Sequence, residues 1–291
     1  MVQKMQKTLQ SLKLTLLNIG YAQLDTSWDY DNVISPFSRL YLITKGTAKI
    51  YHSYQEFDFK AGYLYLVPSF TYSRYHCDTY HEQYYISFLE EVGNGLSVYN
   101  LKHFIYESKA TEMDIHYFKR LLELNPDRSL KDDNPKVYDN RESLSRFEKM
   151  NENLSTPAFI ETQALLLLLF SRFIRNANRT RINAKNNFND VLSYIGEHLH
   201  EDLGVADLAA FCHLSADHFS RVFQQKYGIR PSRYLQTKRV ERAETLLLTT
   251  KNSIKEIAEK TGWGNTPYFT RIFKKTTGKT PAEFRRERSL I

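Results

Sequence analysis

The chain has 291 residues, 42% of them hydrophobic and 25% charged, with a formal net charge of +7 at pH 7. That length predicts two domains, and that balance describes a soluble globular protein, which sets aside disordered, collagenous and membrane-embedded classes. Cys77 and Cys212 form no CxxC pair and give no sign of a disulfide scaffold or zinc site. Met1 to Leu12 lacks an apolar signal segment, so the cytoplasm is the expected compartment.

The first third has a two-residue rhythm. Leu12, Leu14 and Leu16 alternate, as do Leu40 and Leu42 (or Tyr41 and Ile43), Phe57 and Phe59, Leu64 and Leu66, and Tyr84, Ile86 and Phe88, with Ile50 set between polar neighbours. Turn signals separate these runs at Lys45-Gly46, Ala61-Gly62 and Pro68-Ser69. Short, closely spaced strands of this kind predict a sandwich or barrel over residues 1–110. Fourteen of the 20 tyrosines fall in that span, so several phenol rings are expected to line the interior or its mouth.

Helical patterns follow over residues 111–176. Glu112 to Leu124 reads as a helix stopped by Asn125-Pro126, and Arg141 to Asn153 as another; the polar stretch Asp127 to Asn140 between them reads as a loop. Pro157 to about Asn176 reads as a third helix, apolar on every side through Ala164-Leu165-Leu166-Leu167-Leu168-Leu169-Phe170. Glu161, Gln163 and Arg172 leave it short of the roughly 18 apolar residues of a membrane span, so no membrane partner is expected. Apolarity all round predicts burial on more than one surface: the barrel on one side and, on another, either a second subunit or more of the same chain. Residues 177–187 read as a basic linker.

Residues 188–291 repeat themselves. Val205-Ala206-Asp207-Leu208-Ala209 matches Ile254-Lys255-Glu256-Ile257-Ala258 at an offset of 49, and His218-Phe219-Ser220-Arg221-Val222-Phe223 matches Tyr268-Phe269-Thr270-Arg271-Ile272-Phe273 at an offset of 50. Gly228 pairs with Gly278, Pro231 with Pro281 and Tyr234 with Phe284. The extra residue falls between the two matched blocks, where a turn absorbs it. Each copy reads as helix, tight turn, helix, with Ser215 a good cap for the second helix of the first copy. One helix from Pro231 to about Leu248 joins them, roughly 27 Å at the usual rise. That length suits two recognition helices entering successive major-groove faces roughly 34 Å apart. Packed helices with no partner are the bland alternative, and the duplication argues against it.

Charge has the same asymmetry. Residues 1–171 carry 18 basic and 21 acidic groups, residues 172–187 five basic and none acidic, and residues 188–291 seventeen basic and twelve acidic. The C-terminal 120 residues therefore hold +10 of the charge, as phosphate neutralisation requires; a solvated basic surface is the other reading.

The segment from about Phe188 to Arg288 resembles the tandem helix-turn-helix domain of AraC/XylS-type transcription regulators. The resemblance rests on Lys238-Arg239-Val240-Glu241-Arg242-Ala243, Ile254 to Ala258, Gly262, Phe269-Thr270-Arg271-Ile272-Phe273-Lys274 and Gly278-Lys279-Thr280-Pro281. Trp263 departs from it, standing where the family generally has Phe or Tyr. The runs Tyr41 to Gly46, Phe57 to Gly62 and Leu64 to Pro68 are similar to the cupin-like sensor barrel of many such regulators. Together they imply an α+β chain: a cupin-like barrel at 1–110, helices for dimerisation at 111–176, and an all-α DNA-binding domain at 188–288. No HxH pair occurs in the barrel region 1–110, and Tyr72 takes the place often held by His in relatives, so neither a metal site nor any other cofactor is expected.

The resemblance places base readout on the outward positions of the two recognition helices: Asp217, His218, Ser220, Arg221 and Gln224 on the first, Thr266, Pro267, Tyr268, Thr270 and Arg271 on the second. Arg221 and Arg271 lead, because a guanidinium binds guanine O6 and N7 together. Lys226, Arg239, Lys274, Lys275 and Lys279 are assigned to phosphates, which fix register without reading sequence. Arg39, Tyr41, Tyr72, His76 and His81 are the candidate effector-pocket residues, against the plainer reading that they are core or surface groups. The expected partners are double-stranded DNA, a small-molecule effector, a second copy of the chain and RNA polymerase. The expected function is a ligand-controlled transcription regulator without enzymatic activity. A constitutive regulator whose barrel only dimerises, and a cupin-type enzyme fused to DNA-binding helices, are the alternatives.

Overall fold

The computed structural model describes residues 10–53, 55–91, 98–100, 104–136, 138, 141–174, 188, 191–227 and 229–288. Strands come first: β1 (Lys13–Asp25), β2 (Asp29–Val33), β3 (Ser38–His52), β4 (Gln55–Lys60), β5 (Tyr63–Val67), β6 (Ser73–His76), β7 (Tyr80–Glu91) and β8 (Glu107–Lys109). All pairings between them are antiparallel. One sheet runs β1-β7-β3-β5-β8; in the other, β6 lies between β2 and β3, and β4 flanks β3.

β3 belongs to both sheets. Its first half pairs with β5 and β7, and its second half with β4 and β6. Lys45-Gly46 is therefore a bend inside one long strand and not the turn expected from sequence. The register against β7 slips between Ile43 and Lys45, and Gly46 has φ +69°, a bulge that re-aims the strand. A Cβ there would lie 2.0 Å from the Tyr80 carbonyl, so a side chain is excluded.

Both faces of the first sheet are covered, which explains runs such as Leu40-Tyr41-Leu42-Ile43 with no polar member. Tyr41, Ile43, Tyr65 and Tyr85 face the second sheet and pack on Ile50, Phe59 and Tyr75. Leu40, Leu42, Leu64, Leu66, Ile86 and Phe88 face the other way, under helices. Those helices are α1 (Glu112–Leu124) and α3 (Thr156–Ser171), contributing Phe118, Leu121, Leu166, Leu169 and Phe170. The Thr111 hydroxyl accepts the Asp114 N–H at 3.3 Å while the Asp114 carboxylate accepts the Thr111 N–H at 2.7 Å, a reciprocal cap that starts α1.

α3 stops five residues before the expected Asn176. The Phe173 N–H donates to the Phe170 carbonyl at 3.1 Å, tightening the last turn, and Ile174 bridges to Phe104. Among the described residues only one side of α3 is covered; Phe159, Ile160, Leu167 and Leu168 are exposed. Among the described residues no single helix is long and apolar enough to cross a membrane.

The loop after α1 folds back over the β-domain. Arg128, fully buried, donates to the Leu17 carbonyl at 3.3 Å and the Phe147 carbonyl at 3.4 Å. Phe147 lies on α2 (Arg141–Glu152).

Seven helices follow among the described residues: α4 (Val191–His198), α5 (Val205–Phe211), α6 (Ala216–Tyr227), α7 (Pro231–Thr249), α8 (Ile254–Lys260), α9 (Thr266–Thr277) and α10 (Pro281–Arg288). The first core gathers Ile195, Leu199, Leu208, Phe219, Phe223 and Leu235. The second gathers Val240, Leu247, Ile257, Trp263, Phe269, Phe273 and Phe284, and runs on into Leu17, Phe37, Leu89, Leu144 and Phe147. α7 thus feeds one core from Leu235 and the other from Val240, and α10 packs on α2. The expected helix stop at Gly228 and the basic linker 177–187 lie outside the described residues.

Candidate nucleic-acid interface

The repeat becomes two helix-turn-helix units, α5–α6 and α8–α9. Their turns carry the register change: residues 212–215 in the first, 261–265 in the second. Both turns use one device. The Leu214 N–H reaches back to the Ala209 carbonyl and the Trp263 N–H to the Ala258 carbonyl, each at 2.9 Å. The residue before each is left-handed, His213 at φ +55° and Gly262 at φ +75°, as this helix stop demands. Asn265 then caps α9 by accepting the Tyr268 N–H at 2.8 Å, and Ser215 does the same for His218 at 3.4 Å.

Each second helix buries one face and presents the other. Phe219 and Phe223 are buried on α6, Phe269 and Phe273 on α9. Asp217, His218, Arg221, Gln224 and Lys226 are exposed on α6 and Ser220 is half-buried. On α9, Pro267, Tyr268, Arg271, Lys274 and Lys275 are exposed while Thr266 and Thr270 are half-buried. The Arg271 guanidinium lies over the Tyr268 ring, 5.2 Å from its centroid, and the Tyr268 hydroxyl accepts from Gln236 of α7 at 3.2 Å. That packing limits the rotamers of Arg271 at the head of the helix.

Two assignments change. Arg239, grouped by sequence with the phosphate-holding cations, is committed to backbone. Its guanidinium donates to the carbonyls of Leu199 (3.4 Å), Glu201 (3.0 Å) and Leu203 (3.0 Å) and lies 5.8 Å from the Trp263 ring. A cation with those three acceptors ties α7 to the segment between α4 and α5. Lys279 is ion-paired with Glu287, which discounts its charge toward phosphate. Lys226 packs over Phe188 and Tyr227 and stays exposed.

The β-domain holds a cavity of about 570 Å³ whose lining includes Asn18, Trp28, Phe37, Arg39, Tyr41, Gln83, Tyr85 and Ser87, with Leu130, Lys131, Asp132, Asp133, Pro135 and Tyr138 beside them. Of the five residues proposed for a pocket, the structure brings Arg39 and Tyr41 to it. His81 is instead a core group: fully buried, 4.7 Å from the Trp28 ring centroid, with Nδ1 3.3 Å from Cys77 Sγ. Burial pushes its pKa down to about 4. Tyr72 and His76 are outside the cavity; Tyr72 donates to Asp31, and His76 sits between Asp29 (3.3 Å) and Asp78 (3.1 Å). Sequence reasoning missed Gln83, Tyr85 and Ser87, although the inward phase of β7 holds all three. The polar stretch Asp127 to Asn140 reads as a loop, but nothing local in it announces that Leu130, Asp133 and Pro135 reach the cavity. Among the described residues no three His, Cys, Asp or Glu side chains group as a metal site would need.

Two helix-turn-helix units on one connecting helix define the class of the C-terminal domain. Residues 208–287 match the family model described as a helix-turn-helix domain. The bifunctional transcriptional activator/DNA repair enzyme AdaA of Bacillus subtilis is 41% identical over 95 residues, 33% of this chain and 45% of that protein. The uncharacterized HTH-type transcriptional regulator YfiF of the same organism is 34% identical over 129 residues, 43% of this chain and 41% of that protein. A solved transcriptional regulator with an AraC-type DNA-binding domain, from Chromobacterium violaceum, is 30% identical over 33% of this chain and 86% of its own, with a TM-score of 0.31. These likenesses are confined to the C-terminal part of the chain, which is a helix-turn-helix domain. The chain spans less than half the length of the two curated relatives named here.

Proposed function

We propose that the protein is a sequence-specific DNA-binding transcription regulator of the AraC type. The observation that carries this is the pair of recognition helices: each buries its aromatic face in its own core and leaves an arginine-bearing polar face open. On this reading Arg221 and Arg271 read bases, with Asp217, His218, Ser220, Gln224, Thr266, Pro267, Tyr268 and Thr270 beside them. Lys226, Lys274 and Lys275 hold phosphates. The test is selection from a random duplex library with sequencing of the retained DNA. Two enriched blocks about one helical turn apart are the expected outcome; salt-sensitive retention without an enriched sequence would overturn it.

The cavity controls DNA binding in this proposal. What supports it is continuity of packing. Phe37 and Leu130 line the cavity and also touch the cluster that contains Phe284 and the second helix-turn-helix core. Pro135 and Tyr138, which line the cavity, lie shortly before α2 in sequence, and α10 rests on α2. A ligand that changes the loop therefore has a packed path to α9, and it shifts DNA affinity by its differential affinity for the two arrangements. Equal DNA affinity with and without a saturating cavity ligand would remove this part. The active unit in the proposal is a homodimer joined through the open side of α3.

A further inference from the structure

The cavity carries a charge that the chain leaves without an opposite one. Arg39 is 7% exposed. Its Nη2 donates to Ser35 Oγ at 2.6 Å and to the Pro135 carbonyl at 2.9 Å, and Nη1 makes a long contact of 3.4 Å to the Tyr75 hydroxyl. Phe37 lies 4.9 Å beneath it. All of these partners are neutral, and among the described residues no carboxylate pairs with it. A buried cation with only neutral partners is costly, and an anion entering the cavity would relieve that cost.

A second polar group points to the same occupant. Asn18 is 1% exposed and its side-chain carbonyl oxygen has no hydrogen-bond partner among the described residues. It stands opposite Ser87 in the β1–β7 register, and both line the cavity. Buried acceptors left unpaired in a protein are rare; a ligand hydroxyl supplies the missing donor. Trp28, Tyr41 and Tyr85 give flat apolar walls for a carbon body.

We infer that the cavity takes a small organic carboxylate with a hydroxylated body, its carboxylate on Arg39 and a hydroxyl on Asn18. The inference rests on the cavity being a ligand site and adds the chemical class. One charge, not two, is the match: Asp132 and Asp133 stand exposed at the mouth beside a single Lys131, a setting that disfavours a phosphate dianion.

The full-length protein is titrated calorimetrically, with melting curves alongside, against three matched pairs: galacturonate and galactose, gluconate and glucitol, 4-hydroxybenzoate and 4-hydroxybenzamide. At least one acid is expected to bind at least about tenfold more tightly than its neutral partner and to raise the melting temperature. Arg39→Gln should remove that preference. Because Arg39 also holds Pro135, Asn18→Leu serves as the second variant. It leaves no unpaired carbonyl, should fold at least as well, and should lose about tenfold in affinity while keeping the preference for the acid. Tyr72→Phe, outside the cavity, should change nothing. Neutral partners binding as tightly as the acids, or no acid binding at millimolar concentration, overturns the inference. An acid that binds through Arg39 without altering DNA affinity upholds the ligand class and removes ligand control. A neutral compound that binds and alters DNA affinity does the reverse.

Discussion

Gly262 and His213 occupy the same position of the repeat, yet only one of them is replaceable. Both are left-handed, but a Cβ on Gly262 would come within 2.4 Å of the Leu199 carbonyl and 2.8 Å of the Glu201 carbonyl. Gly262→Ala should therefore destabilise the protein by more than about 2 kcal/mol, combining strain at positive φ with the clash. Gly264→Ala, two residues on with open space around its Cα, should cost little. Thermal melts of the two variants check this, and similar losses would contradict it. On the DNA side, Arg271→Ala should cost about 1–3 kcal/mol at the selected site and relax base choice at one position. Lys274→Ala should weaken all sequences alike and lower the salt slope by about one ion. If Arg271→Ala weakens selected and random DNA equally, Arg271 holds a phosphate. Much at this scale was legible from the duplicated pattern: Phe219, Phe223, Phe269 and Phe273 point inward where helical spacing placed them. Arg239 was not legible, because its three carbonyl partners lie 36 to 40 positions away and carry no side-chain signature.

Among the elements, α3 and β3 show where local pattern runs out. Apolar residues all around α3 predicted burial on more than one surface; among the described residues one side is covered and the other is open. Ile160, Leu167 and Leu168 share that open stripe with Phe159. Replacing Leu168 with Lys should turn a dimer into a monomer on sedimentation analysis while leaving the melting temperature nearly unchanged, since Leu168 is exposed and belongs to no buried cluster among the described residues. A wild-type monomer would sink the proposed pairing. β3 was misread for a different reason. Glycine after lysine has the same local chemistry in a hairpin turn and in a bulge, and only the pairing of Gly46 with His81 across β7 decides between them. The cap read from sequence, Ser215, was easier: its partner lies three residues away, and its hydroxyl accepts the His218 N–H at 3.4 Å.

At the scale of the whole molecule, buried titratable groups make stability depend on pH with competing signs. Glu90 is 6% exposed and accepts from Ser38 and Ser69, yet burial outweighs both bonds and pushes its pKa up to about 7. A carboxyl whose folded pKa is raised binds its proton more tightly in the native state. Its contribution is full below the unfolded value near 4.5 and is lost as pH rises toward 7, on the order of 3 kcal/mol in total. His52 and His81 act oppositely, with burial pushing them down to about 3 and about 4. Their contribution is present above pH 6.5 and is lost as pH falls toward those values. The difference between Glu90→Gln and wild type isolates the first effect. The variant should gain stability relative to wild type between about pH 4.5 and 7 and hold a constant difference above that. A difference flat over the whole range would show that Glu90 titrates normally.

Arg239 has one more consequence, and it falls on the DNA. Arg239 ties α7 to the segment ahead of α5, directly against Gly262; if both units read DNA as proposed, their separation is set by that tie. A caliper with a locked screw measures a single gap. On that proposal, an operator whose blocks are moved apart by one base pair, about 3.4 Å and a tenth of a turn, should not be met by adjusting the protein. The duplex itself must bend or untwist to present both sites. The base pairs between the blocks, untouched by any side chain, would then be selected for how readily they deform.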